Sequence, residues 1–130
     1  AYTSLDSTPI LVGRRACDND VLSTSPTYGE RSDYWLHASG CAGSHVVIKS
    51  GEPGEDTVMD AAALAARESK CRQANNVKVT VTRWGNVTKP KGSKPGMVRI
   101  NGDVRTVKVD LKREEGRLGR LDRTEETPTQ

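Results

Sequence analysis

The chain contains no phenylalanine, and aromatic residues make up only 4% of it. Hydrophobic residues reach 34%. That share is low for a packed domain, so part of the chain is expected to lie outside the core. No apolar run approaches the roughly 18 residues of a membrane span. The longest runs from Ala61 to Ala66, so no membrane partner is expected. Asp6 and Pro9 interrupt the amino end, and no signal-peptide pattern is read there. Cysteine is scarce: Cys17, Cys41 and Cys71 are odd in number, widely spaced, and include no Cys-x-x-Cys pair. A disulfide framework is not expected, and the default compartment is intracellular and reducing, cytoplasmic or organellar. No Gly-x-Ser-x-Gly elbow occurs. Gly92-Ser93-Lys94 lacks the spacing of a phosphate-binding P-loop, and Pro95 blocks the helix such a loop needs.

What is present is charge, unevenly spread. Residues 1–66 hold 4 Lys+Arg and 9 Asp+Glu, net −5. Residues 67–108 hold 11 and 2, net +9, and residues 109–130 hold 5 and 6, net −1. A folded stretch of net +9 is the electrostatic footprint of a nucleic-acid surface. Within it lies the segment from Lys89 to Val98, with Lys89, Lys91 and Lys94 at nearly regular spacing. Pro90 and Pro95 remove amide donors and push the residues before them toward extended backbone. Gly92 and Gly96 permit positive φ. The segment reads as a shaped basic loop, able to contact phosphates or to serve as a solvated linker.

At 130 residues a single domain is expected. Ile10–Val12 reads as a strand, Arg14–Leu22 as a short helix, and Asp33–Ala38 with His45–Lys49 as a paired hairpin. Thr57 to about Ala74 reads as the main helix, opened by a Thr57–Asp60 capping pattern. Val58, Ala61, Ala62, Ala65 and Ser69 form its packing face. Arg67, Lys70 and Arg72 fall in its last turns, where cations complement the helix dipole. Val77, Val79 and Val81 alternate with polar residues, a half-buried strand. Asn101-Gly102-Asp103 predicts a hairpin joining Met97–Ile100 to Val104–Val109. From Leu111 onward the pattern dissolves into mixed charge, and residues 111–130 are expected to form a charged tail, disordered or loosely helical.

Three constellations compete with plainer readings. His37, Cys41 and His45 sit four apart and form a zinc-compatible set without a fourth ligand. Cys41 beside a histidine is also a conceivable nucleophile. Both are outweighed by polar groups at a strand end, so no metal, no cofactor and no enzyme are expected. Trp35 is read as core. Trp84 is read as either a base-stacking platform or a packing residue.

Several of these residues resemble one family. Asp33-Tyr34-Trp35-Leu36-His37-Ala38, followed by Gly43-Ser44-His45-Val46-Val47-Ile48, resembles the "D-x-W-L-H … P-G-S-H-V-V-I" signature of the NFACT-R domain. Gly13-Arg14 with Asn19-Asp20 is similar to its "G-R-N … N-D" element, and Ala61-Ala62 through Ser69-Lys70-Cys71-Arg72 to its "E-A-A … S-K-A-R" helix. Lys89 to Val98 resembles its "K-P-K-G-A-K-P-G-M-V" loop. The motifs run in order over roughly residues 9–109. Ala42 stands where the family has proline, Arg15 and Asp18 depart from its usual polar residues, and Cys71 replaces a small one.

The resemblance implies an RNA-binding module. In large members it is joined to an amino-terminal domain and a coiled coil, and those proteins bind stalled large ribosomal subunits and tRNA in ribosome-associated quality control. Neither accessory part is in this chain, so a stand-alone NFACT-R protein is expected, and peptide tailing is not carried over. The expected fold is α+β: a mixed, mainly antiparallel sheet on one main helix, with residues 1–110 as the RNA-binding domain. The expected partner is structured RNA, tRNA or rRNA, with the large ribosomal subunit in view. Lys89, Lys91 and Lys94 would contact phosphates, helped by Lys70 and Arg72. His37, Ser44 and His45 would supply directional hydrogen bonds, with Arg14 and Asn19 as further contributors. The alternatives are a protein-interaction module docking on a ribosomal protein or assembly factor, and an RNA-acting enzyme built on His37, Cys41 and His45.

Overall fold

A computed structural model describes residues 1–126. Eight strands and three helices follow one another: β1 (Tyr2–Thr3), β2 (Pro9–Val12), α1 (Ala16–Thr24), β3 (Tyr34–Ala38), β4 (Val46–Ile48), α2 (Glu55–Arg67), β5 (Val77–Arg83), β6 (Val87–Thr88), β7 (Arg99–Ile100), β8 (Arg105–Val109) and α3 (Glu115–Asp122). Six strands form one antiparallel sheet in the order β1-β2-β4-β3-β5-β8. The domain is α+β, as its patterning predicts.

Alternation in the strands sends side chains to two faces. Leu36, Ala38, Val46, Ile48, Val79 and Val81 point to one face and meet α2, whose residues Ala61 to Ala66 are fully buried. The alanines keep the contact short, so helix and sheet approach closely. Leu36, Ile48 and Leu64 are each 0% exposed. Burying a side chain of that size contributes roughly 1.5–3 kcal/mol. Trp35 and Val47 point to the opposite face, under Leu22 of α1 and Val87 of β6. Trp35 is the buried tryptophan expected, and its indole N–H donates to the Ser23 hydroxyl at 2.8 Å.

Four expectations are corrected. The main helix spans Glu55–Arg67, capped by Gly54 rather than Thr57. It ends early because the Ser69 hydroxyl turns back to donate to the Ala66 carbonyl, and Gly43 bridges Ser69. Lys70 and Arg72 therefore lie on the turn beyond the helix. The Asn101-Gly102 turn does not join a hairpin. Arg99–Ile100 pairs with Val87–Thr88 in a small separate ribbon, and Arg105–Val109 pairs with β5. The strand partners are set by distant chain, which a local turn signal cannot report.

The third correction concerns the tail. Residues 115–122 are helical, with Leu118 and Leu121 packed into the core. The buried Asp60 carboxylate of α2 accepts from Arg117 and from Arg120, each at 2.7 Å. The last four residues of the expected tail, 127–130, lie outside the described residues. Fourth, Cys41 and Cys71 are joined by a disulfide. The β3–β4 turn docks on the end of α2 and brings the two cysteines together across 30 residues of sequence. The reducing-compartment expectation loses its premise of unpaired cysteines. Cys17 alone is free and exposed.

Ala1 and Glu126, the first and last described residues, also meet. The Ala1 ammonium donates to the Glu126 carbonyl at 2.8 Å, and the Glu126 amide donates to the Ala1 carbonyl at 2.8 Å. No helix among the described residues is long and apolar enough to cross a membrane.

Candidate nucleic-acid interface

An open cleft of about 850 Å³ lies where α1, the β3–β4 turn, the end of α2 and the basic loop converge. Its lining includes Arg14, His37, Ser44, Lys70, Arg72 and Met97. Residues as far apart in sequence as Arg14 and Met97 thus meet at one surface. Gly43 makes the convergence possible. A Cβ there would lie 2.8 Å from the Ser69 Cβ and 2.9 Å from its Cα, so only glycine lets the turn touch the helix end. Lys70 is held in turn by its amide, which donates to the Ala42 carbonyl at 2.8 Å.

The basic loop is preformed. Gly92 and Gly96 adopt φ of +80° and +84°, the left-handed region that favours glycine. Ser93 closes one turn onto Pro90, its hydroxyl donating to the Pro90 carbonyl at 2.7 Å, and Met97 closes a second onto Lys94. The loop is then moored to α1: the Gly96 amide donates to Asp20 Oδ1 at 2.9 Å. Lys89 belongs to that mooring. Its ammonium lies 3.4 Å from Asp20 and donates to the carbonyls of Lys94 and Met97. Lys91 and Lys94 are exposed and have no ion-pair partner among the described residues.

The histidine hairpin divides into an outer and an inner part. His37 is half-buried and lines the cleft. His45 is 1% exposed and sits behind it, edge-on to His37 with ring centres 5.1 Å apart. The Ser23 hydroxyl accepts from Trp35 Nε1 and shares a hydrogen bond with His45 Nδ1, 2.6 Å away. Burial first, and repulsion from His37 second, push the His45 pKa down from 6.5 to about 4. Burial also lowers that of His37. The His45 ring is therefore neutral and holds the wall of the cleft. Asn19, 7% exposed, does the same: it accepts from the His45 amide at 3.0 Å and donates to the Gly43 carbonyl.

Of the expected contact residues, the structure brings Arg14, Asn19, His37, Ser44, Lys70 and Arg72 to the cleft, and Lys94 directly precedes the lining residue Pro95. Ser44 is 7% exposed. His45 is buried behind the cleft, and Lys89 is spent inside the loop. Arg14 is engaged by Glu68, Glu125 and the Tyr2 hydroxyl. Cys41 is bonded to Cys71 and so cannot join His37 and His45 as a metal ligand or act as a free nucleophile. Trp84 packs against Gly29, and its indole donates to the Leu22 carbonyl at 2.9 Å, which settles it as a packing residue. Asp20 and Ser23 are the organising residues that sequence reasoning does not assign. The Asn19-Asp20 pair is the only signal for the first, and nothing local marks the second.

An antiparallel sheet thus presents a cationic loop beside an open cleft whose lining combines apolar and basic groups. The chain belongs to the family described as the NFACT protein RNA binding domain, whose model matches residues 1–102. It is 44% identical over 97 residues to the Rqc2 homolog RqcH of Bacillus subtilis, covering 75% of this chain and 17% of that protein. It is 32% identical over 125 residues to the coiled-coil domain-containing protein 25 of Bos taurus, covering 88% and 58%. A solved structure of the carboxy-terminal part of the fibronectin/fibrinogen-binding protein from Streptococcus suis superposes with a TM-score of 0.82 at 34% identity, covering 95% of this chain and 47% of that one. The chain thus spans less than two thirds of the length of these relatives.

Proposed function

We propose that this domain binds structured RNA, tRNA or rRNA, through its phosphate backbone, within ribosome-associated quality control on the large subunit. The observation that carries the reading is the convergence of Lys70, Arg72 and the moored lysine loop on one open cleft. The family and its RqcH relatives support it. Lys91, Lys94, Lys70 and Arg72 supply charge, and His37 and Ser44 supply directional hydrogen bonds. Binding, not a catalytic step, is assigned to the cleft.

Lys89 has a different role from its neighbours, and this gives the test. Abolishing one lysine–phosphate pair lowers the slope of log affinity against log salt by about 0.7–0.9. Lys91→Ala with Lys94→Ala should therefore flatten the slope by about 1.4–1.8 and weaken tRNA binding by roughly 20- to 60-fold near 0.1 M salt. Lys89→Ala removes a mooring rather than a phosphate partner, so affinity should fall with little change in slope. Fluorescence anisotropy with labelled tRNA across a salt series reads both. Unchanged affinity in the Lys91/Lys94 double variant would sink the loop's assigned role.

A further inference from the structure

Beyond the cleft, the second face of the sheet is uncovered at its β5–β8 end. Alternation places His37, Thr80 and Thr106 in one row across β3, β5 and β8. Ser39 continues the ladder past β3, its amide donating to the Lys78 carbonyl, and Lys78 stands directly opposite Lys108. Both lysines and Thr106 are exposed. Neither lysine has an acidic partner among the described ion pairs. Asp110, next on that face, is engaged by the amides of Lys112 and Arg113.

Like charges directly opposite on paired strands destabilise a sheet. Lysine on an edge strand commonly protects against edge-to-edge pairing. That accounts for Lys108 on β8, but not for Lys78 on β5, which is paired on both sides. The uncompensated pair is thus a stability cost without a structural return. Its position supplies one. With strands about 4.8 Å apart and a rise of about 3.4 Å per residue, Lys108 lies roughly 12 Å from His37 at the cleft. No exposed aromatic side chain occurs in the rows of His37, Thr80, Lys78, Thr106 and Lys108, so bases have nothing to stack on there.

We propose that Lys78 and Lys108 form a second phosphate-contact site, which extends the RNA path from the cleft at His37 across the open sheet face. The site takes the sugar–phosphate backbone of an RNA too long to be held by the cleft alone, without reading its sequence. The inference rests on the RNA-binding reading of the cleft.

The test compares a single-stranded oligonucleotide of about six nucleotides with a hairpin RNA of about 30 nucleotides, each in a salt series. Lys78→Ala with Lys108→Ala should weaken hairpin binding at least tenfold and flatten its salt slope, while oligonucleotide binding stays within twofold. Lys108→Glu alone replaces the repulsion by an ion pair. It should raise the unfolding midpoint while lowering hairpin affinity, opposite directions that misfolding cannot produce. Hairpin affinity unchanged in both variants, with binding still weakened in the Lys91/Lys94 variant, overturns this site and leaves the cleft reading intact. Failure of the unaltered protein to bind either RNA overturns both. Equal, Lys78-dependent capture of poly-glutamate overturns the assignment to phosphodiester.

Discussion

Acidification from about pH 7 to about pH 4 should weaken the fold by on the order of 3 kcal/mol through His45. The folded value lies at about 4 against 6.5 in the unfolded chain, and each unit is worth about 1.4 kcal/mol. Between those limits the unfolded chain binds a proton that the folded one refuses. The stabilising contribution is therefore complete above about pH 6.5 and is lost as pH falls toward about 4. The structural cause is burial of the ring first and repulsion from His37 second. His37, lowered in the same direction by burial, adds to the effect. Carboxylates held low by Ser4, Arg15 and Arg105, namely Asp6, Asp18 and Glu55, add to the loss in the same direction at the acid end. Urea unfolding followed by tryptophan fluorescence at half-unit steps would read the slope. His45→Gln should be less stable at neutral pH but far flatter between about pH 5 and 6.5. A wild-type stability that moves by less than about 0.5 kcal/mol over that window would refute the reasoning.

Two further outcomes follow from the packing. Asp60→Ala leaves Arg117 and Arg120 without their buried partner, so stability should fall by about 3 kcal/mol and residues 115–122 should become the first site of limited proteolysis. Gly43→Ala forces the β3–β4 turn away from Ser69, which should cost about 1–3 kcal/mol and weaken tRNA binding more than its stability loss explains, since Lys70 moves with the turn.

The legible part of this protein is its local chemistry. The valine alternation of β5, the paired strands around Trp35 and His37, and the Pro/Gly pattern of the basic loop each follow from backbone rules acting over a few residues. What escapes such rules is long-range. Lys89 looks like its two neighbours in sequence, and only Asp20, brought in by α1, separates its role from theirs. His45 and Asn19 carry polar groups that suit contact, yet each is consumed by the other's backbone or by Ser23. The carboxy-terminal helix is hidden in the sequence because its two leucines sit among charges whose partner, Asp60, is far upstream. Lys78 and Lys108 carry no local signal because their opposition exists only once β5 and β8 pair.

The reciprocal bonds between Ala1 and Glu126 have a consequence for architecture. Whatever precedes the first residue and whatever follows the last described one must leave the domain at the same spot. The fold is therefore a pendant: it can be hung from another chain, or set into a loop of one, with no gap for a linker to bridge. The same closure makes it a natural subject for circular permutation. A short glycine–serine joint across the ends, with new ends opened in the exposed Pro26–Thr27 loop, should leave the sheet order and the cationic surface in place.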